Sequence, residues 1–128
     1  MSTGVAIELI RVLIVDDSAA ARDGLTSILK ASGDFDVVGE ATNGTEAIEA
    51  VARLVPEVVL MDAQMPVLDG IEATRAIKAS TPLTKVLILS VHPMYLQPGL
   101  DAGADTALLK DGGRDELLSA IRALASPE

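Results

Sequence analysis

The chain has 128 residues, 49% of them hydrophobic and 23% charged, with 10 Lys plus Arg against 19 Asp plus Glu for a net charge of −9. That length holds one compact domain over residues 1–128, with its core over about residues 9–125, and the composition excludes a disordered chain. A pI near 4.4 describes a surface that repels phosphate backbones, and the absence of Cys together with the single His92 excludes disulfides, thiol chemistry and a Cys/His zinc site.

The opening stretch MSTGVAIELIRVLIVDD lacks a basic start and does not read as a signal peptide, and its first eight or so residues read as a loose arm. Arg11 to Val15 is a Val/Ile/Leu run without alternation, the pattern of a strand buried on both faces of a parallel sheet, and it stops at Asp16 and Asp17. Ser18 suits an N-cap; Ala21, Leu25, Ile28 and Leu29 then recur at helical spacing until Gly33. Phe35 to Val38 predicts a second strand, Asn43-Gly44 a turn, and Ala47, Ile48, Val51 and Leu54 one side of a helix that ends before Pro56.

Val58 to Met61 predicts a third strand ending in Asp62, then a loop bracketed by Pro66 and Gly70, then a short helix over Ile71 to Ala79. The fourth strand, Lys85 to Leu89, ends at Ser90. Val91 to Ala102 should hold the fourth helix, but Pro93, Pro98 and Gly99 predict a short or distorted one. The longest uncharged run, Val86 to Leu100, contains Pro93 and Pro98 and is too short to span a bilayer, so a membrane location is not expected. Thr106 to Leu109 predicts a fifth strand ending at Lys110. The last helix carries Leu117, Leu118, Ile121 and Leu124 on one face, Asp115 and Glu116 suit its first turn, and Ser126 to Glu128 reads as a frayed end. Five strands alternating with helices imply an α/β doubly wound, five-stranded parallel sheet covered on both faces.

In such sheets ligands bind beyond the carboxyl ends of the strands, where the strand order reverses. Those ends carry Asp16, Asp17, Asp62, Ser90 and Lys110. If the first and third strands are neighbours, three carboxylates converge, and their repulsion calls for a cation. An all-oxygen cluster suits Mg²⁺, while Ser90 and Lys110 supply a hydroxyl donor and a positive charge for one phosphoryl group. Asp62, the central carboxylate, is the best placed nucleophile.

The segments LIVDDS, VVLMDAQMPVLDG, VLILS and GADTALLKD, at this order and spacing, resemble the receiver domains of bacterial two-component response regulators, closest to the NarL/FixJ-like branch. The resemblance spans nearly the whole chain and implies the flavodoxin-like receiver fold with strand order 2-1-3-4-5. It further implies that Asp62 accepts a phosphoryl group from the phosphohistidine of a sensor histidine kinase. Asp17 then becomes the direct Mg²⁺ ligand, with Asp16 acting through water and Gln64 offering its backbone carbonyl. Ser90 and Lys110 fall on the family's hydroxyl and lysine.

Two departures from the family pattern stand out. Ala107 occupies the position, three residues before the lysine, where an aromatic ring usually turns inward on phosphorylation; Tyr95 is the candidate replacement. The interval from Ser90 to Lys110 is shorter than usual and proline-broken, which touches the face of helix four, strand five and helix five that meets an output protein or domain. Gln64 and His92 are candidates for tuning the phosphoryl lifetime, although His92 reads equally as a loop imidazole.

Taken singly, Asp16-Asp17 is also an ordinary cap or turn, Lys110 a solvated charge and Ser90 a strand-end hydroxyl; the set gives them their meaning. Asp69-Gly70 reads as a helix start without chemistry, and Met61, Met65 and Met94 as packing residues. The leading expectation is a cytoplasmic phosphorylation switch in two-component signalling. Its only catalysis is its own phosphorylation and dephosphorylation, so it is not a conventional enzyme. The alternative is a pseudo-receiver that works as a constitutive interaction module; an FMN-binding protein of the same topology is disfavoured by the acidic crevice. No DNA-reading element is encoded in these residues, and homodimerisation is left open. A stand-alone receiver is favoured over one cut from a transcription regulator, which the same branch of the family also includes.

Overall fold

A computed structural model of the protein describes residues 8–126. The arm expected at the N-terminus and the frayed end therefore lie outside the described residues, apart from Glu8 and Ser126.

Five strands, β1 (Ile10–Val15), β2 (Phe35–Ala41), β3 (Val58–Asp62), β4 (Lys85–Ser90) and β5 (Thr106–Leu109), alternate with α1 (Ala19–Ser32), α2 (Gly44–Leu54), α3 (Gly70–Ser80), α4 (Leu96–Asp101) and α5 (Arg114–Ala125). All neighbouring strands are parallel, as the pattern of strands and helices implied, and their order is β2-β1-β3-β4-β5, as the resemblance implied. The order reverses between β1 and β3, so the crevice lies above that pair.

Burial explains the unbroken apolar runs, because β1, β3 and β4 are sandwiched. Val12, Ile14, Leu60 and Leu87 face Leu29, Leu117 and Ile121 of α1 and α5. Leu13, Val15, Val59 and Ile88 face the opposite layer, with Ala47 and Val51 of α2 and Ala73 and Ile77 of α3. Successive strand residues point to opposite faces, and here both faces are covered.

The helices start where the side chains provide caps. Ser18 Oγ accepts from the Ala21 amide at 3.2 Å, Asn43 Oδ1 from Glu46 at 2.9 Å and Asp69 Oδ1 from Glu72 at 2.9 Å. Asn43-Gly44 is thus a helix start and not the expected turn, because Asn43 offers its side chain to an otherwise unsatisfied amide. The second strand runs three residues beyond the expected Val38: β1 continues to Val15, and Gly39, Glu40 and Ala41 pair with it past an irregularity that skips Val38.

The proline-broken segment forms a short 3-10 turn over Pro93–Tyr95 and then the six-residue α4. Gly99 lies directly on β4, where a Cβ would sit 3.0 Å from the Ile88 side chain. No helix among the described residues is long and apolar enough to cross a membrane.

Candidate functional site

Each strand that borders the crevice ends in, or is followed directly by, a polar residue. Asp16 follows β1, its amide bonded to the Ala41 carbonyl at 3.1 Å and its own carbonyl held by Arg22 at 2.8 Å. Both of its carboxylate oxygens are occupied: Oδ1 accepts from the Ser18 amide at 2.9 Å and Oδ2 from Lys110 Nζ at 2.8 Å. Asp16 is only 2% exposed, whereas Asp17 beside it is open to solvent.

Asp62 closes β3 and is 8% exposed. Lys110 Nζ reaches its Oδ1 at 3.3 Å, so one ammonium serves two buried carboxylates. Burial pushes the Asp62 carboxyl above its ordinary range; the Lys110 charge opposes that, Asp16 adds to it, and the Gln64 backbone amide pulls it down without reversing the result. Burial acts to lower the Lys110 pKa, but the hydrogen bond to Asp16 and the charges of both carboxylates outweigh it and leave the ammonium more firmly protonated.

One carboxylate oxygen from each of Asp16, Asp17 and Asp62 lies within 4.8 Å of the others. Three such groups with one lysine between them make an acidic cluster that could bind a metal. Hard oxygen donors on strand ends fit a hard divalent cation and offer nothing to a soft one.

Ser90, 2% exposed at the end of β4, holds its own loop: its Oγ donates to the His92 carbonyl at 2.9 Å and accepts from the His92 amide at 3.0 Å. The Ser90 carbonyl accepts from the Lys110 amide at 2.8 Å, which fixes the root of the lysine. Gln64, exposed, donates through Nε2 to the Tyr95 hydroxyl at 2.8 Å. His92 is exposed and meets the Tyr95 ring edge-on, with centroids 6.1 Å apart. Ala107 is half-buried and pairs with Ile88 of β4, so no ring enters the sheet from that position.

Asp16, Asp17, Asp62 and Lys110 therefore form one cluster, while Ser90, Gln64 and His92 join through the loops above it. Sequence reasoning gave Gly70 no role beyond the helix start that the structure bears out. Its amide bonds to the Ala63 carbonyl at 3.0 Å, and a Cβ there would overlap the carbonyl oxygen of Asp62. The loop after Asp62 folds back so tightly that only glycine fits. The one available signal was a lone Asp-Gly pair, which marks helix starts and turns everywhere.

Comparison with known proteins agrees with this fold. Residues 12–122 match the model of the response regulator receiver domain. The chain is 38% identical over 120 residues to the transcriptional regulatory protein LnrK of Bacillus subtilis, covering 92% of this chain and 54% of that protein. The signal receiver domain of the putative response regulator NarL from Mycobacterium tuberculosis superposes with a TM-score of 0.88 at 36% identity, covering 94% of this chain and 99% of that one. In a complex of CheX and CheY with BeF3 and Mg²⁺ from Borrelia burgdorferi, the matching chain gives a TM-score of 0.84 at 26% identity, covering 91% of this chain and 90% of that one. The chain spans about half the length of the curated relatives it matches. On the family match over residues 12–122, the 38% identity to LnrK and the shared fold, the chain belongs to the receiver domains of two-component response regulators.

Proposed function

We propose that Asp62 accepts a phosphoryl group from the phosphohistidine of a sensor histidine kinase, and that the phosphorylated state controls an output protein or domain. The observation that carries this reading is the placement of Lys110 Nζ between two buried carboxylates, 3.3 Å from Asp62 Oδ1. A carboxylate oxygen of Asp62 forms the new bond to phosphorus. The P–N bond breaks, its electron pair stays on the imidazole, and no net oxidation occurs.

Asp17 and Asp62, the Gln64 backbone carbonyl and, through water, Asp16 would hold Mg²⁺. The division between the two neighbouring aspartates is supported by Asp16 having both oxygens engaged while Asp17 faces solvent. When bound, the ion supplies positive charge against the oxygens of the transferring group. Lys110 is free to exchange one carboxylate partner for a phosphoryl oxygen, and Ser90 can turn its hydroxyl from the His92 carbonyl toward the same group. Those exchanges favour one arrangement of the β4–α4 and β5–α5 loops, and they shift the population only as far as the phosphoryl group binds that arrangement better.

The face of α4, β5 and α5 is where the output partner or a second copy would read the change. The reading carries with it a cytoplasmic location, no direct contact of this domain with nucleic acid, and no chemistry beyond the protein's own phosphorylation and hydrolysis. It is tested by intact mass after incubation with Mg²⁺ and acetyl phosphate. Wild type should gain one phosphoryl group, and neither Asp62→Asn nor metal-free protein should. No gain in wild type across donor concentrations, with Mg²⁺ binding verified separately, overturns it in favour of a constitutive interaction module.

A further inference from the structure

The phosphoryl-transfer reading leaves one set of contacts unused. Gln64, two residues past Asp62, gives its side-chain N–H to the Tyr95 hydroxyl at 2.8 Å. Tyr95 stands at the end of the 3-10 turn, packs against the cluster that contains Met61 and Ile88, and touches the edge of the His92 ring. The His92 backbone is in turn gripped by Ser90 Oγ. Tyr95 therefore closes a bridge over the crevice from the β3 side to the β4 side.

Local sequence puts the ring there. The chain has one Tyr, one Phe and no Trp, and Phe35 packs in the opposite layer. Ala107 brings no ring to this face, and Gly99 lets α4 settle onto Ile88. The proline at 93 starts the 3-10 turn that carries Tyr95 back toward Gln64.

Hydrolysis of an aspartyl phosphate needs water in line with the P–O bond, on the side away from the carboxylate. Asp62 is almost wholly enclosed, and Gln64 and His92 are exposed on the loops that follow β3 and β4, so either can meet water approaching from that side. A side-chain amide at such a place orients attacking water. An amide that gives one N–H to a phenol oxygen is held in one orientation, so its second N–H and its Oε1 cannot swing to meet the attacking water without breaking that bond.

We propose that Tyr95 is a positioning residue for phosphoryl lifetime: by holding the Gln64 amide it slows hydrolysis of the phosphoryl group on Asp62. The proposal rests on Asp62 being the phosphoacceptor. In the step it restrains, the water oxygen bonds to phosphorus and the P–O bond to Asp62 breaks with its electron pair left on the carboxylate. The water protons end on inorganic phosphate and solvent.

The test compares wild type, Tyr95→Phe, Gln64→Ala and the double variant, each loaded with acetyl phosphate and Mg²⁺, freed of donor, and followed by intact mass. Tyr95→Phe should shorten the half-life severalfold, and the same change in a Gln64→Ala background should have no effect. An unchanged or longer half-life in Tyr95→Phe, or an effect of equal size without Gln64, overturns the proposal. A second reading needs neither metal nor phosphate. Tyr95 is the sole Tyr and there is no Trp, so tyrosine emission reports this ring alone, and Gln64→Ala should change its intensity in metal-free protein. Unchanged emission means the hydrogen bond is not held in solution, and the proposal falls. If wild type takes up no phosphoryl group, the phosphoacceptor reading fails first and the lifetime claim with it; uptake with a Tyr95-independent half-life removes the claim alone.

Discussion

Lys110 Nζ lies 2.8 Å from Asp16 Oδ2, a contact that joins residues 94 positions apart and engages one of the two oxygens of a buried carboxylate. The same ammonium sits 3.3 Å from Asp62, so the lysine already offsets charge that a divalent cation would otherwise offset. Lys110→Met keeps the apolar stem and removes this competitor. It should bind Mg²⁺ severalfold more tightly by isothermal titration, and it should be about 1–3 kcal/mol less stable to urea without metal. That is below the cost of breaking a fully buried pair, because the Lys110 side chain is 28% exposed. Equal or weaker Mg²⁺ binding would show that the lysine does not compete for the carboxylates.

The charge on Asp62 works against folding in metal-free protein. Burial raises its pKa and the nearby Asp16 raises it further, with Lys110 offsetting only part. The fold thus disfavours the ionised form, so Asp62→Asn, which keeps the shape and drops the charge, should melt at a higher temperature than wild type in chelator. Adding Mg²⁺ should then stabilise wild type more than the variant and narrow the gap. A lower melting point for Asp62→Asn in chelator would mean that its pairing with Lys110 outweighs the burial.

Much of this arrangement was legible in the sequence, because parallel strands buried on both faces announce themselves as uninterrupted apolar runs such as Leu13 to Val15 and Val58 to Met61. Their carboxyl ends then place Asp16, Asp62, Ser90 and Lys110 with no further information. What stayed hidden was long-range geometry. The continuation of β2 to Ala41 depends on β1 as its partner, since Gly39 and Glu40 carry no strand signal of their own. The Gln64–Tyr95 bond joins residues 31 apart across two loops, and no periodicity encodes it. Asn43-Gly44 misled because the same pair of residues makes a turn or a helix cap, and only the helix that follows decides.

Gly70 makes the strictest local demand near the site. A side chain there would overlap the Asp62 carbonyl and crowd the Met61 side chain, and backbone on a strand end has little room to move. Gly70→Ala should cost about 2 kcal/mol or more in urea unfolding and should lower phosphoryl uptake, since relief requires moving the Asp62 peptide. Full stability with full uptake would mean that the α3 start shifts freely, contrary to the close fit of the loop.

Acid behaviour should carry a separate signature from the other end of the sheet. Arg122 of α5 bonds to Asp34 Oδ2 at 2.8 Å and to Ser32 Oγ at 2.7 Å, and lies over the Phe35 ring at 5.5 Å, tying α5 to the α1–β2 turn. The Arg122 hydrogen bond, with help from Ser32, lowers the Asp34 pKa from 3.8 to about 2. A depressed carboxylate pKa stabilises the fold above its ordinary value and loses that contribution as pH falls toward the folded value. Both side chains are well exposed, 46% for Arg122 and 39% for Asp34, so solvent screens the pair and its contribution is small, and smaller still in high salt. The stability difference between wild type and Arg122→Gln should be level from neutral pH down to about 4 and then shrink as pH approaches 2. A difference that does not change across that range would assign the role of Arg122 to packing on Phe35 and leave its charge without effect.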